Sequence, residues 1–196
     1  ERKDFEIRTI VPRNLRIASD GVALIVNPEN TDTLLTTDQL QSILLGKYKT
    51  WKELSGSGIK DSIRVVFDKN GSANARYLKE KFLGEKSFPA NSYATNSSAA
   101  VVDYVSKTKG AIGVIGVNWI SDSDDSTTTS FLDKIRVVGI SQKDSTGTQM
   151  EYYKPYQAYI ALKTYPLIRD VMIVNIEGRS GLGTGFASFV AGDKGS

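Results

Sequence analysis

An α/β fold with its sheet covered on both faces is what this sequence predicts, and three features predict it. Apolar strand-like runs alternate with amphipathic helical runs, and the connections between them are short. The chain has 196 residues, 40% of them hydrophobic and 24% charged, which is ample material for a core. Finally, Ile63–Leu83 (IRVVFDKNGSANARYLKEKFL) passes from an apolar strand through a short polar turn directly into a helix.

The elements follow in order. Glu1–Ile10 is mixed and reads as the tail of a helix. Leu15–Val26 is strand-like at both ends, with Asp20–Gly21 as a bulge or a close backbone contact. Asn27–Asp32 is a turn cluster. Thr36–Gly46 has the pattern of a short amphipathic helix, capped by Thr36 or Thr37 and stopped by Gly46. Trp51 then anchors a loop. Ile63–Val66 is a strand, and Ala75, Leu78 and Phe82 give Ala73–Leu83 the apolar spacing of a helix. Ser97 and Ser98 precede a second helix, Ala99–Lys107, which Gly110 ends.

The glycine-containing run Ala111–Trp119 is a buried strand. Ser121–Ser130 is a polar loop. Its carboxylates lack the central glycine and terminal glutamate of a calcium-binding loop, so it reads as solvated. Ile135–Ile140 is a strand and Asp144–Gly147 a turn. Tyr152, Tyr153, Tyr156 and Tyr159 read as packing, with a ligand platform as the alternative. Asp170–Asn175 is an apolar strand. Gly178–Gly185 matches a phosphate loop in composition only, lacking its lysine and hydroxyl ending. Gly185–Ala191 is helical, with Phe186, Phe189 and Val190 on its buried face.

Composition narrows the chemistry. The chain contains neither cysteine nor histidine, which removes thiol chemistry, disulfides, histidine triads and the commonest metal ligand. Net charge is +3 with the basic residues dispersed, which gives no basis for nucleic-acid binding. No signal peptide or membrane span is visible. The sequence opens without methionine, which reads as a processed product or a fragment.

The strand–turn–helix junction is the candidate site. A helix start leaves several backbone N–H groups without intrahelical acceptors, and the helix dipole favours negative charge there. Gly71, Ser72, Ala73 and Asn74 form that start, and in α/β folds ligands sit beyond strand ends. Asp68 lies just before the turn. A carboxylate there repels an anion unless it accepts a proton from the ligand or pairs with a nearby base.

With these residues in view, the chain resembles phosphate-binding proteins of the PstS type, the substrate-binding components of bacterial phosphate ABC importers. The variety is similar to those of Bacteroidetes. The matching blocks are Asp20–Asn30, Leu34–Trp51, Val65–Ser72, Ser98–Val105, Gly110–Val114, Tyr165–Arg169 and Thr184–Gly195. The resemblance implies a type 2 periplasmic-binding-protein-like fold of three-layer α/β sandwich lobes, with the N-terminal part of the first lobe missing. Residues 1–24 would then end a first-lobe segment and cross over. Residues 25–120 would form the second lobe, and 121–196 would complete it, return and add part of the first lobe.

It further implies a non-enzymatic, cofactor-free binder of phosphate or a related oxyanion. Such a protein is periplasmic, is lipid-anchored through an N-terminal segment, and delivers its ligand to a membrane ABC importer. A truncated lobe would expose strand edges through which copies self-associate. The family's anion motif is an arginine, two variable residues, then Gly-Ser-Gly-Thr. Gly71 and Ser72 match it. Asp68 stands at the arginine, Ala73 at the second glycine and Asn74 at the threonine. The guanidinium fork is gone, and Lys69 or Arg76 would have to compensate. A diverged binding or sensor protein with a different ligand is the alternative reading.

Overall fold

The structure, a computed structural model, describes residues 12–56, 59–120, 130–142, 151–177 and 181–192. The chain divides into two compact units, residues 21–168 and residues 1–20 with 169–196.

The larger unit is built on a mixed sheet. Its strands are β1 (Arg13–Val26, of which Gly21 onward lies in this unit), β3 (Arg64–Phe67), β4 (Ser92–Ala94), β5 (Ala111–Gly116) and β6 (Arg136–Val137), in the order β4-β3-β5-β1-β6. β3 runs parallel to β4, with Val66 opposite Tyr93, and parallel to β5, with Val65 opposite Ile112. β1 is antiparallel to β5, with Leu24 opposite Val114. The three parallel strands therefore end at one edge of the sheet. A two-stranded parallel pair, β2 (Leu34–Thr36) and β7 (Gly139–Ser141), places Leu35 opposite Ile140.

The core follows from the apolar runs. Every residue of Val22–Val26 and of β5 is buried, as a strand covered on both faces requires. Helix α1 (Thr37–Leu44) carries a capping box. Thr36 Oγ1 accepts from the Gln39 N–H at 3.1 Å, and Gln39 Oε1 accepts from the Thr36 N–H at 2.9 Å. Strand β1 is assigned across Asp20–Gly21. A Cβ on Gly21 would lie 2.8 Å from Val117 Cγ2, so the position serves close packing.

Trp51 is fully buried, as an anchor should be, but it opens a short helix, α2 (Trp51–Ser55), rather than lying in a loop. Its indole N–H donates to the Gly110 carbonyl at 3.0 Å. The second long helix, α4 (Ser98–Lys107), is capped by Ser97, whose Oγ accepts from the Ala100 N–H at 3.2 Å. At its other end the buried Asn27 amide donates to the Val105 and Ser106 carbonyls at 2.9 and 2.8 Å.

Several expected elements are shorter than their apolar runs. The strand over Ala111–Trp119 ends at Gly116 and closes in a 3-10 turn, Val117–Trp119. Ile135–Ile140 is two strands in different sheets, β6 and β7, parted at Val138. The tyrosine cluster lies around α5 (Gln157–Ala161), where the Tyr153 and Tyr159 rings meet edge-on at 5.1 Å. The readings over Glu1–Ile10, nearly all of Ser121–Ser130 and Asp144–Gly147 fall outside the described residues.

The smaller unit holds the first part of β1, strand β8 (Ile168–Asn175, of which Arg169 onward lies in this unit), which pairs with β1, and helix α6 (Leu182–Val190). Arg169 donates through Nε to Asp20 Oδ2 at 2.9 Å and through Nη2 at 2.5 Å. Here the burial expectation for the last helix is corrected. Phe186 is 63% and Phe189 58% exposed, Val190 is half-buried, and Ala187 is the buried residue. The apolar spacing marks a helix face but not which surface that face meets.

Candidate functional site

The junction after β3 has the local structure its sequence asks for. The turn Lys69–Ser72 is closed by the Ser72 N–H on the Lys69 carbonyl at 3.2 Å. Gly71 sits in it at φ +65°, a left-handed conformation that a side chain disfavours. Ser72 is extended and caps helix α3 (Ala73–Leu78), accepting from the Ala75 N–H at 3.2 Å. The Arg76 N–H then bonds the Ser72 carbonyl at 2.9 Å. Beyond Leu78 the expected helix does not continue as α. Lys79–Leu83 is a π turn.

Ser72 is thus the cap of this helix. Its hydroxyl still has a proton to donate outward. The N–H groups of Ala73 and Asn74 have no acceptor among the described residues, as the first positions of a helix leave them.

Asn74 does something else. It is 5% exposed, and its Nδ2 donates to Asp68 Oδ2 at 3.2 Å. The other oxygens of the pair, Asp68 Oδ1 and Asn74 Oδ1, are buried with no hydrogen-bond partner among the described residues. Buried polar atoms are nearly always paired, and two unpaired acceptors six residues apart on one turn call for a donor. The junction thus presents amide donors at the helix start and buried carbonyl and carboxylate acceptors beside them.

The loops after the neighbouring parallel strands converge on the same edge. Thr95, just past β4, donates its N–H to the Phe67 carbonyl at 2.8 Å and its hydroxyl to the same oxygen at 3.0 Å. The end of β3 and the approach to α4 are thereby tied together, with Asp68–Asn74 and Thr95–Ser98 side by side at the carboxyl ends of their strands.

Among the described residues, the side chains of Lys69 and Arg76, the candidates to replace the missing arginine, form no hydrogen bond or ion pair with Asp68 or Asn74. They line a cavity between α3 and β4 that Asp68, Ser72, Ala73 and Asn74 do not line. Sequence reading missed this cavity because β4 was not foreseen, its three residues being too short to show a period.

The other glycine-rich candidate is filled by the protein itself. Gly178–Ser180 lie outside the described residues, but the start of α6 is described. The Glu177 carboxylate accepts from the Gly183 N–H and the Thr184 N–H, both at 2.9 Å, and from the Thr184 hydroxyl at 3.1 Å. The Gly183 amide first and the Thr184 amide next hold this carboxyl below its ordinary range. A helix start already carrying a carboxylate is a capped helix rather than an open anion site. Among the described residues, no group of three or more acidic side chains gathers as a metal site would.

Loops gathered at the carboxyl ends of parallel strands in a mixed α/β sheet are where such folds place their ligands. The chain belongs to the PBP superfamily, whose domain profile matches residues 2–194. Within it, the chain is similar to the phosphate-binding protein PstS of Staphylococcus epidermidis, with 30% identity over 174 residues, 88% of this chain and 49% of that protein. PstS of Bacillus subtilis is 27% identical over 136 residues, 69% of this chain and 43% of that protein. The chain spans about half the length of the curated relatives it matches.

The fold is shared with an ABC-type phosphate transport receptor from Vibrio cholerae at a TM-score of 0.72 and 21% identity, over 94% of this chain and 68% of that one. The fold expected from the resemblance, α/β and type 2 periplasmic-binding-protein-like, is the fold found.

Proposed function

We propose that this chain is part of an extracytoplasmic solute-binding protein for phosphate or a related oxyanion, acting without catalysis and delivering its ligand to a membrane ABC importer. The similarity to PstS proteins supports the ligand class and the importer. The observation that carries the reading is the helix start itself, where Gly71 shapes the turn and the Ala73 and Asn74 amides stand without acceptors. The Ser72 hydroxyl adds a third donor to the oxyanion, and Asp68 accepts the proton of a protonated phosphate through its unpartnered Oδ1. Calorimetric titration with inorganic phosphate tests this. Heat and a raised melting temperature are expected, and folded protein that shows neither would rule the reading out.

The second reading is a diverged binder or sensor of the same fold, favoured by two observations. Asp68 stands where the resembled motif has arginine, and the unpartnered Asp68 Oδ1 and Asn74 Oδ1 ask for a ligand that donates hydrogen bonds. A panel of anions, sugars and peptides that yields only a non-phosphate ligand selects it. Asp68→Arg then separates the cases, since an otherwise intact pocket gains anion affinity from that change.

A further inference from the structure

The cavity between α3 and β4 has a volume of about 430 Å³, several times what a bare oxyanion fills and within the range of small-molecule sites. Its charge is one-sided. Lys69, Arg76 and Lys79 line it, and no carboxylate does. None of the three cations has a carboxylate partner among the described residues.

Its floor is apolar. Phe67, the last residue of β3, and Phe88 pack their rings at 4.7 Å between centroids, and Pro89 continues that surface. Of the buried polar side-chain atoms in the lining, one has no hydrogen-bond partner among the described residues. Ser92 Oγ, on the sheet-edge strand β4, is buried and makes no hydrogen bond. The register puts Val65 opposite Ser92 and Phe67 opposite Ala94, so Ser92 shares its sheet face with Phe67.

Unpaired cations at a rim, a paired-ring floor and an orphan hydroxyl together specify a ligand with an acid group and a flat apolar body. We propose that this cavity is a second binding site, for a small aromatic organic anion. Its acid group would take charge-assisted hydrogen bonds from Arg76 and the two lysines, its ring would pack in the angle between the Phe67 and Phe88 rings, which are tilted 50° to each other, and Ser92 Oγ would bond a polar atom at its inner end. The site adjoins the helix start proposed for phosphate, with Gly71 common to both and Asp68, Ser72, Ala73 and Asn74 outside its lining.

The test is a titration of the isotopically labelled chain, followed by amide chemical shifts, with phenyl phosphate, benzoate, benzyl alcohol and inorganic phosphate in parallel. Phenyl phosphate and benzoate are expected to shift the amides of Lys79, Phe88, Ser92 and Ala94 in a saturable way, while benzyl alcohol and inorganic phosphate leave them in place. Arg76→Ala with Lys79→Ala is expected to weaken both aromatic anions about tenfold or more, as loss of two charge-assisted contacts does. Both positions are on the surface or half-buried, so the fold is kept, and Ser92→Ala gives an uncharged second variant with a severalfold loss.

Unchanged affinity in both variants, or shifts confined to Gly71–Asn74, would overturn the proposal and leave the reading of the helix start standing. Aromatic anions that shift the β4 amides while inorganic phosphate shifts nothing would sustain this site and count against phosphate at the helix start.

Discussion

Replacing Asp68 by asparagine separates two things this carboxylate does. In the free protein it leaves a problem. Of the three oxygens in the Asp68–Asn74 pair, only Asp68 Oδ2 has a donor, and Asp68 Oδ1 and Asn74 Oδ1 are buried without partners. Asp68→Asn keeps the shape, keeps an acceptor for Asn74 Nδ2, and turns one orphan acceptor into a donor that can serve the other. Each buried group relieved is worth about 1 kcal/mol. The free protein should therefore gain roughly 1–2 kcal/mol, or a few degrees in Tm at about 2–4 °C per kcal/mol for a unit of this size.

The bound state should move the other way. A hydrogen bond from a protonated phosphate to a carboxylate is worth about 1.5–3 kcal/mol, so its loss weakens phosphate by roughly 10- to 150-fold. Thermal melts without ligand and calorimetry with phosphate read the two effects on one protein. A lowered Tm would show that the pair is not frustrated. Phosphate bound more tightly by the variant would show that Asp68 repels the anion, and the proton-accepting role would be wrong.

Three other outcomes follow from the packing and charge. Gly113→Ala places a Cβ 2.6 Å from Val101 Cγ1 and 2.8 Å from both Ile25 Cγ1 and Val105 Cγ2, so it should cost about 1–3 kcal/mol in urea unfolding. Trp51→Phe keeps most of the buried ring but removes the indole donor and leaves the Gly110 carbonyl with the Arg64 N–H alone, and a loss of about 0.5–1.5 kcal/mol is expected by the same measurement. Glu177 has a folded pKa below its unfolded one, so its contribution is complete above the ordinary value of 4.5 and is lost as pH falls through the lower folded value. Glu177→Gln should abolish that acid-side dependence, which NMR titration of the Gly183 and Thr184 amides would follow.

The alternation of apolar runs made the α/β class legible, because strands buried on both faces and helices with one apolar stripe leave different periods in the sequence. Turn chemistry was legible too. A short polar turn leading into a helix was readable in Asp68–Ser72, and the structure puts Gly71 in the left-handed region there and Ser72 at the cap. What was not legible concerns pairing across distance. β2 and β4 are three residues each and exist through the strands beside them, Ile135–Ile140 splits because its halves find different neighbours, and the orientation of Phe186 and Phe189 depends on what surrounds α6.

At the candidate site the division is the same. Sequence alone determined that a helix would start at Ser72 with free amides and that a carboxylate would precede it, since these are properties of adjacent residues. Only the tertiary structure decided that Asn74 turns inward to Asp68, that both keep an unpaired oxygen, and that Lys69 and Arg76 line a different cavity. Local hydrogen-bonding and dihedral preferences act between near neighbours, whereas the direction of a side chain and the partner it meets are set by the packing of strands and helices far apart in the chain.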